Sequence, residues 1–290
     1  MLRSNALRLL GVIVLLGFTA FFFVPMVWLL LAPTKTDPQL ISHGPFAIGT
    51  LHNFAHAWHQ VFSFENDAPL SWLKNSAIYS LGGVALALAA AVPAGYGLAR
   101  TQFVGRKVLL AVTLVVMIMP ATALVLPLFL EMNLVRLTDT PWSVILPFSF
   151  FPFGVYLTYI FFSSTIPEDL FAAARMDGCT EWRIFYRIAL PLSRPIVALV
   201  GFFAFVADWN NYFLPFLMLP DSTKYPLPVG LEYLLASSPA FNPSIGGGHQ
   251  AIYRPELALA TILAIAPVLI VFLFAQRTLV SGMLAGATKG

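Results

Sequence analysis

A short polar cluster, Asp208, Trp209, Asn210 and Asn211, lies inside a long apolar run of the chain. An ionisable side chain at the centre of a membrane costs about 3 kcal/mol on insertion scales, so it normally faces a cavity or a partner. Asp208 could therefore line a translocation path, lock two helices together, or bind a proton or sodium ion in an ion-coupled transporter. An intramembrane enzyme is disfavoured, because no second acid or histidine accompanies Asp208 at the same depth.

Three histidines, His52, His56 and His59, have the spacing of one helical face and could act as metal ligands. The same segment carries Trp and Phe side chains that suit an amphipathic helix at the membrane interface, and we favour this interpretation. Glu131, near Arg136, is interpreted as part of a solvated interface pair without a ligand role.

The sequence carries no recognisable phosphate-binding, hydrolase or metalloprotease motif: GxxxxGK[ST], GxSxG and HExxH are all absent. Its single cysteine, Cys179, excludes an internal disulfide and a cysteine-based metal cage. Energised work by this chain would therefore require a partner or an ion gradient.

Composition places these residues in a membrane protein. Hydrophobic residues make up 59% of the chain and charged residues 10%, too few charges to cover a soluble globule of 290 residues. A span needs about 20 apolar residues. Six stretches qualify, at 9–32, 75–99, 108–131, 142–163, 195–219 and 256–276. The first is too long for a signal-peptide core, so we expect a retained anchor. The sequence predicts an all-α integral membrane protein with six transmembrane helices.

The distribution of basic residues predicts the orientation of these spans. Six spans put both termini on one side of the membrane, and eleven of the sixteen Lys and Arg residues fall in segments on that side. They are Arg3, Arg8, Arg100, Arg106, Lys107, Arg175, Arg183, Arg187, Arg194, Arg277 and Lys289. Because positive charge is retained inside, we expect cytoplasmic termini and a cytoplasmic segment at 164–194. The long external segments, 33–74 and 220–255, suit contact with another protein.

The cytoplasmic segment is predicted to form two helices. Acidic residues follow Pro167 in the first turn of a helix of about 11 residues, and Gly178 supplies the left-handed position that ends it. Thr180 is a suitable N-cap for a second helix, which Pro191 and Pro195 close. We expect Trp182, Phe185, Ile188 and Ala189 on one side of it, and a small-residue face at 172–174 on the first helix. Two capped helices indicate docking on a soluble partner more than a simple linker.

This run resembles the cytoplasmic coupling loop of ABC-importer permeases, whose pattern is EAA, three residues, G, nine residues and I-x-LP. Ala173-Ala174, Gly178, Ile188 and Leu190-Pro191 match every spacing. Ala172 stands where the family usually has a Glu that meets basic groups of the ATPase. Glu168, Asp169 and the partner permease's loop are the candidates to compensate for it. The resemblance implies an ATPase contact through Glu168, Asp169, Ala172, Ala173, Ala174, Asp177, Gly178, Glu181, Trp182, Arg183, Leu190 and Pro191.

Other stretches resemble carbohydrate-importer permeases in the same order. They are "NSAIYS" at 75–80, "WNNYFLPF" at 209–216, "YPLPVGLEYL" at 225–234 and the end "FLFAQRTLVSGMLAGATKG". The last is similar to the C-terminus of the second, shorter permease of maltose-type importers. The resemblance implies the type I ABC importer permease fold. It divides the chain into an N-terminal span and external loop at 1–74, a permease core at 75–280 and a cytoplasmic tail at 281–290.

The resemblance also implies a function and a set of partners. A sugar or sugar derivative would cross the cytoplasmic membrane along a path with Asp208, Trp209, Asn210 and Asn211 in its wall, the indole stacking on a pyranose. A second homologous permease, two ATP-binding subunits and an extracytoplasmic sugar-binding protein would complete the assembly, in contact with lipid and not with nucleic acid. ATP and Mg would bind the ATPases, leaving this chain without a cofactor. A tail comprising Gly286, Ala287, Thr288, Lys289 and Gly290 would reach the ATPase interface.

Overall fold

The computed structural model describes residues 2–243 and 251–287, with side chains at 8–243 and 251–276. Within these ranges the regular structure is helical, as predicted. The α-helices are α1 (Leu2–Leu31), α2 (Asp37–Ser42), α3 (Leu51–Phe62), α4 (Ala68–Arg100), α5 (Arg106–Ile118), α6 (Ala121–Leu134), α7 (Trp142–Phe148), α8 (Pro152–Ser164), α9 (Glu168–Met176), α10 (Glu181–Ile184), α11 (Leu190–Leu192), α12 (Arg194–Trp209), α13 (Phe213–Met218), α14 (Leu227–Ala236) and α15 (Arg254–Ala287).

The chain forms two compact units. The first comprises Met1–Leu70 and Gly230–Ala266, and the second comprises Ser71–Val229 and Pro267–Gly290. The division by sequence at residue 74 instead falls inside α4, and residues 230–266 group with the N-terminal part rather than with the predicted core.

Four segments are long and apolar enough to cross a membrane: Arg8–Thr34, Ala68–Arg100, Trp142–Ser164 and Arg254–Gln276. Two bent helix pairs raise the number to six if each pair counts as one span. The described residues thus contain four to six candidate spans.

The predicted third span is a broken helix. Helices α5 and α6 meet at an angle of 106° across Met119 and Pro120, whose backbones are extended. Proline lacks the N–H that would continue the helical hydrogen bonds, and it disfavours helical conformation in the residue before it. The sequence placed Pro120 inside a continuous span, whereas the structure places it at a sharp corner.

The predicted fifth span is also interrupted. Helix α12 ends at Trp209, and α13 begins only at Phe213. The Asn211 side chain accepts a hydrogen bond from the Leu214 backbone N–H at 3.2 Å and so caps α13. Asn210 and Asn211 therefore occupy a break between two helices.

In the second unit α4 packs closely on α8. Thr158 donates a hydrogen bond to the Ala91 carbonyl at 3.0 Å across this contact. Gly95 faces Thr158 where a Cβ would overlap the hydroxyl, so glycine is required for the close approach. This contact helps to fix the C-terminal half of α4, which lies beside the predicted coupling loop.

In the first unit the chain after α1 folds back on its end. The Thr34 carbonyl accepts hydrogen bonds from the Thr50 backbone at 2.7 Å and the Asn53 amide at 3.1 Å. The amphipathic helix predicted around the histidines is observed as α3, with Ala57 and Val61 buried and Trp58 exposed. Amphipathic character is thus present in the folded chain.

Candidate functional site

The first helix of the predicted coupling loop is α9, which has nine residues rather than about 11. Pro167 precedes it in extended conformation, Glu168 and Asp169 occupy its first turn, and Arg175 lies in its last turn. This charge order complements the helix dipole. The helix ends at Asp177, and Gly178 follows with φ +75°, which confirms the predicted left-handed position.

The second helix runs from Glu181 to Leu192 and contains a π turn at Phe185–Ala189. Its N-cap is Thr180, whose hydroxyl accepts a hydrogen bond from the Arg183 N–H at 3.4 Å. Pro191 cannot donate to the carbonyl of Arg187 four residues earlier, and in an α-helix its ring would clash with that carbonyl. The wider π turn directly before Pro191 relieves this conflict.

The two helices share a buried face. Phe171 and Ala174 of α9 pack with Ile184, Phe185 and Ala189, in a cluster that also contains Tyr96 of α4 and Phe162 of α8. Phe185, Ile188 and Ala189 thus lie on one side of the second helix, as predicted, and this side packs in the cluster. Trp182 was predicted on the same side, but it is 67% exposed, whereas Ile184 is buried.

The predicted small-residue face is divided. Ala174 belongs to the buried cluster, whereas Ala172 and Ala173 are exposed. The inward side of α9 is thus used within the chain, and only the two preceding alanines are available to a partner.

A network of charged side chains joins both helices to the end of α4. Arg100 contacts Glu168 and the Ile166 carbonyl. Arg175 lies 3.6 Å from Glu168 and donates to Glu181 at 2.7 Å. This hydrogen bond lowers the pKa of the Glu181 carboxyl and raises that of the Arg175 guanidinium. The Tyr96 hydroxyl donates to the second oxygen of Glu181 at 3.2 Å.

The outward face of the loop combines apolar and acidic groups. Met176 is 89% exposed, and the exposed rings of Trp182 and Tyr186 stack with centroids 5.8 Å apart. Asp169 and Asp177 are exposed and form no ion pair with any side chain that the structure describes. Such a surface can contribute apolar burial and attract basic groups.

Asp208 lies at the end of α12, 9% exposed, on the wall of a cavity of about 330 Å³ that Asn211 also lines. Its Oδ2 atom is buried without a hydrogen-bond partner among the described residues. A Cβ added to Gly83 of α4 would come within 2.6 Å of this oxygen. The carboxyl is therefore held against α4 at the edge of a cavity.

The other members of the polar cluster have different surroundings. Trp209 is buried and stacks on Phe205 with ring centroids 5.4 Å apart, so in this conformation its face is not available to a pyranose. Asn210 is exposed and donates to the Val206 carbonyl at 2.8 Å. The structure thus brings only Asp208 and Asn211 to the same cavity.

Two sequence stretches that carried the resemblance bind each other in the second unit. Asn75 donates to the carbonyls of Thr223 and Tyr225 at 2.9 and 3.1 Å, and Ser76 accepts from the Leu227 N–H at 2.7 Å. Tyr79 donates to the Lys224 carbonyl at 2.9 Å. We name residues 222–227 and the start of α4 that holds them the outer clamp. Sequence reasoning missed this contact because about 150 residues separate the partners.

The three histidines do not form a metal site in the described part of the chain, where no group of three or more His, Cys, Asp or Glu side chains is placed to hold a metal. His52 and His56 line a cavity of about 560 Å³ in the first unit, and Nδ1 of His56 lies 3.9 Å from Oε1 of Glu256. Gly286 and Ala287 end α15, whereas Thr288, Lys289 and Gly290 and the side chains of the whole tail lie outside the described residues.

Residues 83–284 match the family described as binding-protein-dependent transport system inner membrane component. The chain is 34% identical over 239 residues, 80% of each protein, to the arabinooligosaccharides transport system permease protein AraQ of Bacillus subtilis. It is 30% identical over 272 residues to the diacetylchitobiose uptake system permease protein NgcG of Streptomyces coelicolor, covering 92% of this chain and 84% of that protein.

A solved structure has a similar fold. It is a chain of a bacterial ABC transporter involved in the import of the acidic polysaccharide alginate, with a TM-score of 0.79 and 24% sequence identity. The match covers 95% of this chain and 97% of that one.

Proposed function

Because this chain belongs to the family of binding-protein-dependent transport system inner membrane components, we propose that it carries a saccharide inward as a permease subunit of an ATP-driven importer. It is a multi-pass inner-membrane protein and a transport subunit, not an enzyme. ATPase and substrate-binding partners accompany a permease of this family. The relatives are named for different sugars, arabinooligosaccharides and diacetylchitobiose, which supports a saccharide as the substrate class.

The observation that carries the proposal is the exposed face of the coupling loop. Two capped helices at the family spacing keep Met176, Trp182 and Tyr186 in the open, although neighbouring side chains of the same helices are fully buried. An exposed apolar surface of this kind marks an interaction site. In this family the loop pattern is the part of the permease that contacts the ATPase subunit, so we assign the ATPase as the partner of this surface.

The proposed topology has six spans, cytoplasmic termini and a cytoplasmic coupling loop. In this arrangement the bent pair α5–α6 counts as one span, and α12 with α13 forms the fifth. The second helix of the coupling loop, which meets α12 at 75°, lies outside the membrane. The eleven basic residues on the terminal side support it. The side chains of Arg3, Arg277 and Lys289, which contribute to that count, lie outside the described residues.

The full assembly contains a second permease, two ATPases and an extracytoplasmic sugar-binding protein. Binding of ATP and Mg by the ATPases drives the conformational cycle, and this chain binds no cofactor of its own. In the proposed assembly the tail at Gly286 to Gly290, whose side chains lie outside the described residues, contacts the ATPase interface. Such coupling requires that each state of the cycle favours different contacts at the loop.

Asp169 supplies the acidic group that is missing at position 172, where this chain has alanine. Glu168 is engaged by Arg100 and Arg175, so its charge is largely satisfied within the chain. Asp169, by contrast, is exposed on the same first turn and faces no cation among the described side chains. Asp177 gives a second exposed acid at the other end of α9.

Isolation of the membrane complex tests the proposal. Mild-detergent purification of this chain, followed by native mass spectrometry, should yield one copy with a homologous permease and two ATPases. Asp169→Asn should weaken ATPase association about 2- to 5-fold at low salt, as for one exposed ion pair, and Ala172→Glu should strengthen it. Recovery of this chain alone, together with uptake that persists without an ATPase, would instead support an ion-coupled transporter using Asp208.

A further inference from the structure

The strongest unassigned feature is the buried Arg100 at the last position of α4. Its side chain is only 6% exposed, while its partner Glu168 is 63% exposed. The guanidinium carbon also lies 4.5 Å above the Phe171 ring. Arg100 therefore contacts Ile166 just ahead of α9, Glu168 at the start of α9, and Phe171 on its buried face.

The next turn of α4 holds the second helix of the loop. Tyr96 binds Glu181 through its hydroxyl, and its ring packs on Phe185 with centroids 5.1 Å apart. Arg175 bridges Glu168 and Glu181 between the two helices. Both coupling helices are thereby fastened to each other and to the final turns of one transmembrane helix.

Helix α4 is 33 residues long and carries both this attachment, at Arg100, and the outer clamp, at Asn75. At 1.5 Å per residue, Arg100 and Asn75 lie about 37 Å apart along its axis. Between them, Gly83 lies against Asp208 at the wall of the cavity. A displacement of the coupling loop therefore moves α4, and with it Gly83, as long as Arg100 and Tyr96 keep the loop bound to the end of that helix.

We propose that Arg100 is a positioning residue that transmits movement of the coupling loop to α4. The argument rests on the proposed function, because it assumes that ATPases move the loop. A guanidinium suits this role, since its rigid fork can hold a carboxylate and a carbonyl together. Its Nε atom is buried without a hydrogen-bond partner in the described chain, so the two Nη atoms make the contacts with Glu168 and the Ile166 carbonyl. Arg100 does not touch the substrate path and is not assigned a catalytic role.

The test measures substrate transported per ATP hydrolysed by the complete complex in proteoliposomes. Arg100→Met should keep assembly and ATP hydrolysis but lower this ratio about 5-fold or more, the lower end of typical coupling effects. Arg100→Lys, which retains the charge without the fork, should recover part of the ratio. Glu168→Gln removes the ion pair at an exposed position, and it should lower the ratio even if Arg100→Met fails to assemble.

Arg106→Met is the matched control. Arg106 donates to the carbonyls of Ala99 and Thr101, so it supports the same end of α4 without touching the loop. Its loss should leave the transport ratio within about twofold, below typical allosteric coupling. Equal losses in both arginine variants, or an unchanged ratio in Arg100→Met and Glu168→Gln, would overturn the proposal.

A second readout does not depend on transport. A nitroxide attached to Cys179, the chain's one cysteine, lies between the two coupling helices and should become more mobile in Arg100→Met but not in Arg106→Met. Unchanged mobility would contradict the attachment. Failure of the unmodified complex to transport with ATP would instead refute the proposed function. The nitroxide mobility would still report whether Arg100 holds the loop to α4.

Discussion

Gly178 shows how one residue sets the direction of the coupling loop. Its φ of +75° lies in the left-handed region, while a Cβ placed there would meet no atom within 4 Å. Space is thus available, and the requirement for glycine is conformational. The sequence could predict this residue because its effect is local and its position follows a complete helix pattern.

Gly178→Ala is expected to destabilise the chain by about 1–2 kcal/mol, the cost of a side chain in left-handed conformation. Relief of that strain would turn the second helix, so ATPase association should weaken more than ten-fold. Thermal unfolding and ATPase binding measure the two effects. Gly105→Ala is the control, because Gly105 has φ +92° and equally open surroundings outside the loop. Equal loss of ATPase binding in the two variants would contradict a specific role for Gly178.

Asp208 illustrates a residue whose importance the sequence indicates but whose environment it does not. The apolar run predicted that the carboxyl faces a cavity or a partner, yet only the fold shows that Gly83 and the cavity lined by Asn211 meet it. A path role requires that the carboxyl contact the passing saccharide. A lock role requires that it hold helices or subunits together.

Asp208→Asn should raise the substrate concentration for half-maximal uptake several-fold, since a hydrogen bond to a charged group contributes about 1 kcal/mol more than one between neutral groups. The amount of assembled complex should stay the same. Uptake kinetics and complex yield in one preparation separate the alternatives. Unchanged kinetics with reduced assembly would identify a lock, and Asn210→Ala at the exposed neighbouring position provides the control.

At the scale of elements, helix existence was predictable and helix interruption was not. The run 108–131 is apolar throughout, so hydropathy alone could not show that α5 and α6 meet at 106°. In the coupling loop the caps at Thr180 and Gly178 were readable from residue type. The π turn at Phe185–Ala189 was not, because it departs from the regular helical spacing on which the prediction relied.

The outer clamp is an element-scale contact that also lay beyond sequence reasoning. Its bonds run from Asn75, Ser76 and Tyr79 to a 3₁₀ turn and the following residues. Lys224 in that turn pairs with Asp139, whose hydrogen bond raises the pKa of the lysine. The clamp gives a physical reason for two separated motifs to occur together in one chain.

Asn75→Ala should release residues 222–227 by removing two hydrogen bonds to backbone carbonyls. Each bond contributes about 1 kcal/mol, so amide exchange in this segment should accelerate by roughly 10-fold or more. Hydrogen exchange with mass spectrometry provides the measurement. Lys74→Ala changes an exposed neighbour on α4 and should leave the rate unaltered. Protection retained in Asn75→Ala would show that the clamp is held by other contacts.

For the whole molecule, composition and charge distribution were sufficient to predict a helical membrane protein, and the motif spacing was sufficient to indicate its family. The partition into two units was not predictable, because Gly230–Ala266 joins the N-terminal residues through contacts distant in sequence. The identity of the sugar is not encoded in a single local pattern. In the proposed assembly, selectivity is shared with the sugar-binding protein and the second permease.

ATP-dependent uptake tests the account most directly. The complete complex would be reconstituted into proteoliposomes with the saccharide-loaded binding protein outside and ATP with Mg inside, and accumulation of labelled saccharide would be followed with and without an ion gradient. We expect accumulation that requires internal ATP and persists when the gradient is dissipated. Accumulation that proceeds without ATP and collapses with the gradient would contradict the central claim.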